Sequence, residues 1–125
     1  MSGARILLVE DDRYLRRACE TALRQRGFAV SSAVDGAEAL DAIASELPDL
    51  VLLDLLMPKV TGLEVLRSLR SRPETQALRV LILSNSSREQ DLEEIKQLGV
   101  VGYYVKSDLS LRELGDRVER LLQEG

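Results

Sequence analysis

The fold of this chain follows from one stretch, Val51-Leu52-Leu53-Asp54-Leu55-Leu56-Met57-Pro58. It is an apolar run that a single carboxylate interrupts and a proline ends. Such a run, preceded by Pro48-Asp49, indicates a central strand that is covered on both faces, as in a parallel sheet. Asp54 then lies at the carboxyl end of that strand, where open α/β sheets bind their ligands. Taken alone, Asp54 is also compatible with a residue that merely ends a strand and begins a turn.

Composition narrows the class of protein. The 125 residues fit one domain over positions 1–125, and the four aromatic residues imply an aliphatic core. A formal charge of −4 disfavours direct binding to nucleic acid, which needs a basic face. Cys19 is the only cysteine and there is no histidine, which excludes an intrachain disulfide and a metal site built on cysteine clusters or histidine. The sequence shows no membrane span or signal peptide, so a cytoplasmic protein is expected.

A short apolar strand, a turn and an amphipathic helix repeat five times along the chain. In the first helix the apolar residues follow the i, i+3, i+4 spacing of a buried face, and Cys19 on this face is expected to be a packed core thiol. The second strand is the weakest prediction. The pattern predicts a doubly wound α/β fold, with a parallel sheet and helices on both faces. The predicted strands begin near Ile6, Phe28, Val51, Val80 and Gly102.

Three further features concern the helices. The third helix should end before Pro73, and its arginine-rich outer face should be solvated. The polar run Ser84-Asn85-Ser86-Ser87 is suited to cap the fourth helix. Gly115 lies inside the last helix, where glycine costs about 1 kcal/mol relative to alanine.

Polar residues follow the predicted strands at one edge of the sheet. Glu10 and Asp11 end the first strand, Asp54 the third, Ser84 the fourth and Lys106 the fifth. Three carboxylates there would repel one another and raise a pKa unless a cation neutralises them. Oxygen ligands without histidine or cysteine suit Mg²⁺. A lysine and a hydroxyl beside such a metal suit phosphoryl transfer, with Asp54 as the acceptor.

Over nearly its whole length the chain resembles a response-regulator receiver domain. The matching residues are Leu8-Val9-Glu10-Asp11, Asp54 with Met57-Pro58 and Gly62, Ser84, and Tyr103 with Lys106. The resemblance implies a flavodoxin-like strand order, 2-1-3-4-5. It also implies a two-component phosphorelay in which a histidine kinase or phosphotransfer protein phosphorylates Asp54, and in which the chain turns over no other substrate.

The resemblance assigns roles to individual residues. Asp11 and Asp54 would ligate Mg²⁺ directly, together with the backbone carbonyl of Leu56, and Glu10 would act through a metal-bound water. Asp12 falls one place past the acidic pair. Ser84 would hydrogen-bond the phosphoryl group, and Lys106 would form an ion pair with it. Tyr103 would change rotamer as Ser84 moves, which would alter a surface read by a downstream protein or by an output domain missing from this chain.

Three positions depart from the family pattern. Ser107 stands where proline usually follows the lysine, so a trans peptide bond is expected there. Val101-Gly102 replaces the acidic pair of receivers that form salt-bridged dimers, which leaves at most a weak phosphorylation-dependent homodimer. No output domain follows Leu122, so the sequence fits both a stand-alone regulator and a receiver from a longer protein.

Three other classes of protein share parts of this pattern. A phosphatase of the haloacid dehalogenase type needs a second aspartate two residues after the nucleophile, where this chain has Leu56. A flavodoxin-like FMN binder needs a phosphate loop after the first strand, and the acidic residues there would repel phosphate. A pseudo-receiver, an interaction module with a non-functional pocket, stays open as the alternative, although the residue set is complete.

Overall fold

The computed structural model describes residues 3–57, 59–84, 89–108 and 110–123, with only the backbone for residues 89–91. Pro58 and residues 85–87 of the predicted capping run lie outside these ranges. Strands and helices alternate as the sequence predicts. They are β1 (Arg5–Val9), α1 (Arg13–Gln25), β2 (Ala29–Ala33), α2 (Gly36–Ser45), β3 (Leu50–Leu53), α3 (Gly62–Arg70), β4 (Val80–Ser84), α4 (Glu89–Leu98), β5 (Gly102–Val105) and α5 (Leu111–Gln123).

The five strands form one parallel sheet in the order β2-β1-β3-β4-β5. This is the strand order that the resemblance implied, and β3 lies at its centre. Val9 is in register with Leu53, so β1 and β3 end side by side. Ser84 is likewise in register with Val105 at the ends of β4 and β5. The carboxyl ends of four strands therefore meet at one edge.

Aliphatic residues fill the core on both faces of the sheet. One buried cluster contains Val51, Leu53, Leu66 and Ile82, and Tyr103 packs against it. The other contains Leu8, Leu52, Leu81 and Val118. Alternate residues of β3 thus contribute to opposite clusters, as the period of a strand requires. All four β3 residues are fully buried, which explains the uninterrupted apolar run.

Cys19 belongs to the second cluster and is only 2% exposed. Burial, reinforced by the nearby charge of Glu10, raises the pKa of the thiol to about 11. The raised pKa favours the protonated thiol at neutral pH, and the prediction that Cys19 is a packed core thiol is confirmed. Within the described ranges, no helix combines the length and apolar character that a membrane crossing requires.

Two expectations change in detail. The second strand begins at Ala29, one residue after the buried Phe28, and extends through both serines to Ala33. Its weak signal reflects its place at the sheet edge, where exposed and half-buried residues alternate and only Ala33 is buried. The outer face of α3 is not simply solvated. The half-buried Arg70 donates hydrogen bonds to the backbone carbonyls of Thr75, Leu78, Leu98 and Gly99.

Candidate functional site

Three carboxylates converge at the carboxyl edge of the sheet. Asp54 directly follows β3 and Glu10 directly follows β1, and they are only 4% and 3% exposed. Asp11, the next residue in the loop after β1, is exposed. One oxygen from each lies within 4.8 Å of the others. The apolar strands behind Glu10 and Asp54 fix the place of these two side chains, while Asp11 faces the cluster from the solvent side.

Lys106 binds two members of this cluster. It begins a short 3-10 helix, Lys106–Asp108, immediately after β5. Its ammonium nitrogen lies 2.5 Å from Glu10 Oε1 and 3.0 Å from Asp54 Oδ2. The lysine side chain is only 13% exposed. The sequence placed Lys106 and Asp54 at the same edge of the sheet, and in the structure the two side chains are in contact. The sequence did not indicate the contact between Lys106 and Glu10.

Burial and pairing have opposing effects on these two groups. Burial raises the pKa of the Glu10 carboxyl, and its bonds to Lys106 and to the Asp12 N–H reduce this rise without cancelling it. For Lys106, burial lowers the pKa, but the hydrogen bonds to Glu10 and Asp54 outweigh burial and the net shift is upward. Lys106 therefore stays a cation at neutral pH. The pKa of the Glu10 carboxyl is raised as expected, but the main cause is burial, and the repulsion by the Asp54 charge makes a smaller contribution.

Asp12 has a different role from its two acidic neighbours. It is the N-cap of α1, and its Oδ1 accepts hydrogen bonds from the N–H groups of Tyr14 at 2.9 Å and Leu15 at 3.1 Å. Its own N–H donates to Glu10 Oε2 at 3.0 Å. The carboxylate of Asp12 is therefore engaged by the helix terminus. This explains why Asp12 is absent from the cluster of Glu10, Asp11 and Asp54.

The loop between β3 and α3 packs tightly against Asp54. The Leu56 N–H donates to Asp54 Oδ1 at 3.2 Å, and the Gly62 N–H donates to the Leu55 carbonyl at 3.1 Å. A Cβ atom on Gly62 would lie 2.2 Å from the Asp54 carbonyl oxygen, so only glycine fits there. The Leu56 side chain is 60% exposed. The loop thus places one backbone donor on the Asp54 carboxylate.

Ser84 and Tyr103 lie on the neighbouring strands. Ser84 ends β4 at the same edge as the carboxylates and is completely buried. Tyr103, in β5, is partly buried against the first core cluster. The described residues contain no cis peptide bond, and Lys106–Ser107 is trans as expected. Ser84 and Tyr103 therefore lie on adjacent strands, and the phosphoryl contact assigned to Ser84 and the rotamer change assigned to Tyr103 stay predictions.

The cluster has the chemistry of a site for a hard divalent cation. All its ligand atoms are carboxylate oxygens, which Mg²⁺ prefers. Three carboxylates and one ammonium leave a formal excess of two negative charges, which a divalent cation would neutralise. The residues present therefore fit Mg²⁺.

The same conclusion about the class of protein comes from known sequences. Residues 6–119 match the family of response regulator receiver domains. This chain belongs to that family. It is 41% identical over 120 residues to response regulator MprA of Mycolicibacterium vanbaalenii, covering 95% of this chain and 50% of that protein. The receiver domain thus spans about half the length of the curated relatives that it matches, and it takes part in two-component signalling.

Solved structures agree with the receiver fold. Chemotaxis protein CheY4 of Vibrio cholerae superimposes with a TM-score of 0.85 at 27% identity, over 95% of this chain and 98% of that one. The phosphorylated cyanobacterial phytochrome response regulator RcpA gives a TM-score of 0.81 at 33% identity, over 96% and 91% of the two chains.

One residue near the acidic cluster escaped the sequence analysis. Arg16, the fourth residue of α1, donates from Nη1 to the carbonyls of Glu10 at 3.0 Å and Asp11 at 3.4 Å. The sequence signal was weak, because a basic residue on a helix is usually a solvated charge. Only the fold shows that its guanidinium reaches back to the loop that carries the carboxylates.

Proposed function

We propose that this receiver domain accepts a phosphoryl group on Asp54 from the phosphohistidine of a histidine kinase or phosphotransfer protein, with Mg²⁺ as cofactor. The observation that carries this proposal is the bridge from Lys106 to Asp54 and Glu10 within a cluster of three carboxylates. This arrangement places a buried acceptor (Asp54), a fixed cation (Lys106) and a possible metal site next to one another. Family membership supports the same chemistry.

Each residue has a defined part in this proposal. Asp11, Asp54 and the Leu56 carbonyl would hold Mg²⁺, with Glu10 acting through a water molecule, and the metal would neutralise charge on the phosphoryl oxygens. Lys106 supplies a second, permanent positive charge because its pKa is raised. An oxygen of Asp54 forms the new P–O bond as the P–N bond of the donor breaks, and the bonding electron pair returns to the imidazole nitrogen. Ser84 donates its hydroxyl to the phosphoryl group.

The chain acts on itself and does not turn over an external substrate. A phosphatase with an aspartate nucleophile would need a general acid two residues after Asp54, and that position is Leu56, an exposed side chain without an ionisable group. The domain, taken as residues 1–125, then passes its signal through its surface. Hydrolysis of the aspartyl phosphate resets it.

The partners follow from the same reaction. The donor is a histidine kinase or phosphotransfer protein, and this chain acts in the cytoplasm. The partner that responds to the phosphorylated domain is a downstream protein or an attached output domain. The greater length of the curated relatives supports the second of these. The formal charge of −4 disfavours direct contact with nucleic acid. A weak homodimer formed on phosphorylation is compatible with this scheme, and Tyr103 would carry the change of surface.

The first prediction is that Asp54→Asn takes up no phosphoryl group, because an amide oxygen is a poor nucleophile and the substitution preserves the shape of the buried site. Wild type and variant are incubated with Mg²⁺ and acetyl phosphate, and the mass of the intact protein is measured. Asp12→Asn is the matched control, since asparagine also caps helices well, and it should be phosphorylated like wild type. Equal phosphorylation of Asp54→Asn and wild type would show that the acceptor lies elsewhere.

A further inference from the structure

Arg16 contacts every carbonyl of the acidic loop, which we define as Glu10, Asp11 and Asp12. Its Nη1 lies 3.0 Å from the Glu10 carbonyl oxygen and 3.4 Å from that of Asp11. Its backbone N–H donates to the Asp12 carbonyl at 2.9 Å. One half-buried residue therefore satisfies three consecutive acceptors.

Contacts at both ends leave the acidic loop little freedom. The Glu10 N–H donates to the Ala33 carbonyl at 3.0 Å, which continues the pairing of β1 with β2. At the other end Asp12 caps α1. Between these anchors, Arg16 holds the carbonyls of Glu10 and Asp11, while Lys106 holds the Glu10 side chain.

This restraint opposes the repulsion within the site. Three carboxylates whose oxygens lie within 4.8 Å repel one another and tend to separate in the absence of a metal. Separation would move the backbone of the acidic loop, because Asp11 is an exposed loop residue without a rigid strand beneath it. A guanidinium bonded to the carbonyls resists that movement and keeps the ligands ready.

We propose that Arg16 is a positioning residue, which holds the acidic loop so that Glu10 and Asp11 converge on Asp54 and bind Mg²⁺. This role rests on the proposed function. The positioning role and a simple effect of charge predict opposite changes in Mg²⁺ affinity when Arg16 is removed. By Coulomb attraction alone, removing a cation beside the cluster should strengthen Mg²⁺ binding. If Arg16 positions the loop, removing it should weaken Mg²⁺ binding, since partners that orient metal ligands typically affect metal affinity by about 10- to 100-fold.

The test measures Mg²⁺ affinity of the unphosphorylated protein by isothermal titration calorimetry for Arg16→Met, Arg16→Lys and Arg17→Met. Methionine keeps most of the aliphatic stem and removes the donors. Lysine can restore both contacts, because a single nitrogen makes them in the wild type. Arg17 is the matched control: it is the next residue of α1, it is exposed, and its side chain makes no hydrogen bond or ion pair with the described residues of the acidic loop.

We expect Arg16→Met to bind Mg²⁺ on the order of 10-fold more weakly, Arg16→Lys to recover most of the affinity, and Arg17→Met to bind like wild type or slightly more tightly. Circular dichroism verifies that each variant is folded, and amide chemical shifts of Glu10 and Asp11 report the loop directly. Unchanged or tighter Mg²⁺ binding by Arg16→Met, while wild type binds the metal, overturns the positioning role alone. A wild type that does not bind Mg²⁺ overturns the proposed metal site and this role together.

Discussion

At the scale of single residues, three adjacent acidic side chains have three distinct environments. Glu10 is buried and bonded to Lys106, Asp11 is exposed and belongs to the carboxylate cluster, and Asp12 caps α1. The causes are local geometry and not residue type. The β1 strand ends at Val9, so Glu10 still lies at the sheet, while Asp12 already has the extended backbone of an N-cap. Substitutions of these neighbours should therefore have separable effects.

We expect Asp11→Ala and Asp12→Ala to differ in which property they change. Asp11→Ala should lower Mg²⁺ affinity by at least about tenfold and raise the stability of the metal-free protein, because it removes a ligand and a source of repulsion. Asp12→Ala should lower Mg²⁺ affinity far less than Asp11→Ala and lower stability by about 1 kcal/mol, the usual cost of a lost N-cap. Mg²⁺ titration and urea denaturation measure the two properties. Equal losses of Mg²⁺ affinity would mean that both carboxylates, and not Asp11 alone, bind the metal.

Residues at strand ends were predictable from sequence, whereas those acting through the backbone were not. Asp54, Glu10 and Lys106 each follow an apolar strand, and the parallel sheet then brings them together. Arg16 and Arg70 bind carbonyl oxygens, which every residue has, so no residue type marks their partners. For Arg70 one partner, the carbonyl of Leu98, lies 28 positions away in the chain.

At the scale of elements, two helical glycines have different reasons for lacking a side chain. Gly62 begins α3, where a Cβ would lie 2.2 Å from the Asp54 carbonyl oxygen and 2.7 Å from the Leu55 Cα. Gly115 lies within α5, where a Cβ would lie 2.2 Å from Arg26 Nε. The first neighbour is backbone beside the acceptor. The second is a long side chain, held over α5 by Asp116 and Glu119.

Alanine should therefore be costly at position 62 and mild at position 115. Each substitution gains up to about 1 kcal/mol of helix propensity. At Gly62 the clash requires the backbone of Asp54 to move, and overpacking of this kind typically costs about 1–3 kcal/mol. Gly62→Ala should thus be destabilised and slow to accept a phosphoryl group. For Gly115→Ala the Arg26 side chain can shift aside, so we expect a stability within about 1 kcal/mol of wild type.

Urea denaturation and the rate of phosphorylation by acetyl phosphate distinguish these outcomes. The two variants carry the same substitution, so a difference between them reports the surroundings of each glycine. If Gly62→Ala equals wild type in both stability and phosphorylation rate, the packing of α3 does not position Asp54.

The sequence alone indicated only that Gly115 weakens a helix, because the crossing of α1 and α5 at Arg26 is a tertiary contact.

At the scale of the whole molecule, the two edges of the sheet differ. Hydrogen bonds hold the amino ends of the strands in place, whereas the candidate site lies at their carboxyl ends. The Arg5 N–H donates to Asp49 Oδ2 at 2.7 Å, and Arg79 Nη1 donates to the Leu121 carbonyl at 2.5 Å, which ties the end of α5 to the start of β4. The carboxyl edge instead carries three crowded carboxylates, two of which are bonded to Lys106. A ligand that neutralises this cluster changes the balance of forces where β4 and β5 end.

Strand pairing connects the end of β4 to β5. Ser84 is completely buried and in register with Val105, two residues from Tyr103 and next to Lys106. Movement of Ser84 toward a phosphoryl group would therefore also shift the paired residues of β5. Tyr103 is only partly buried, so its ring can carry such a change toward the surface.

We therefore predict that Ser84→Ala separates binding from response. With Mg²⁺ and beryllofluoride, which mimics the phosphoryl group, wild type should show chemical-shift changes at Asp54 and at Tyr103. Ser84→Ala retains the acceptor and the proposed metal ligands, so it should still show the changes at Asp54, but those at Tyr103 should be largely lost because the hydroxyl that responds to the ligand is absent. Ser32→Ala, a serine on the opposite edge strand β2, is the control and should respond like wild type. A Tyr103 response that persists in Ser84→Ala, or that is missing in wild type, would show that the signal leaves the site by another route.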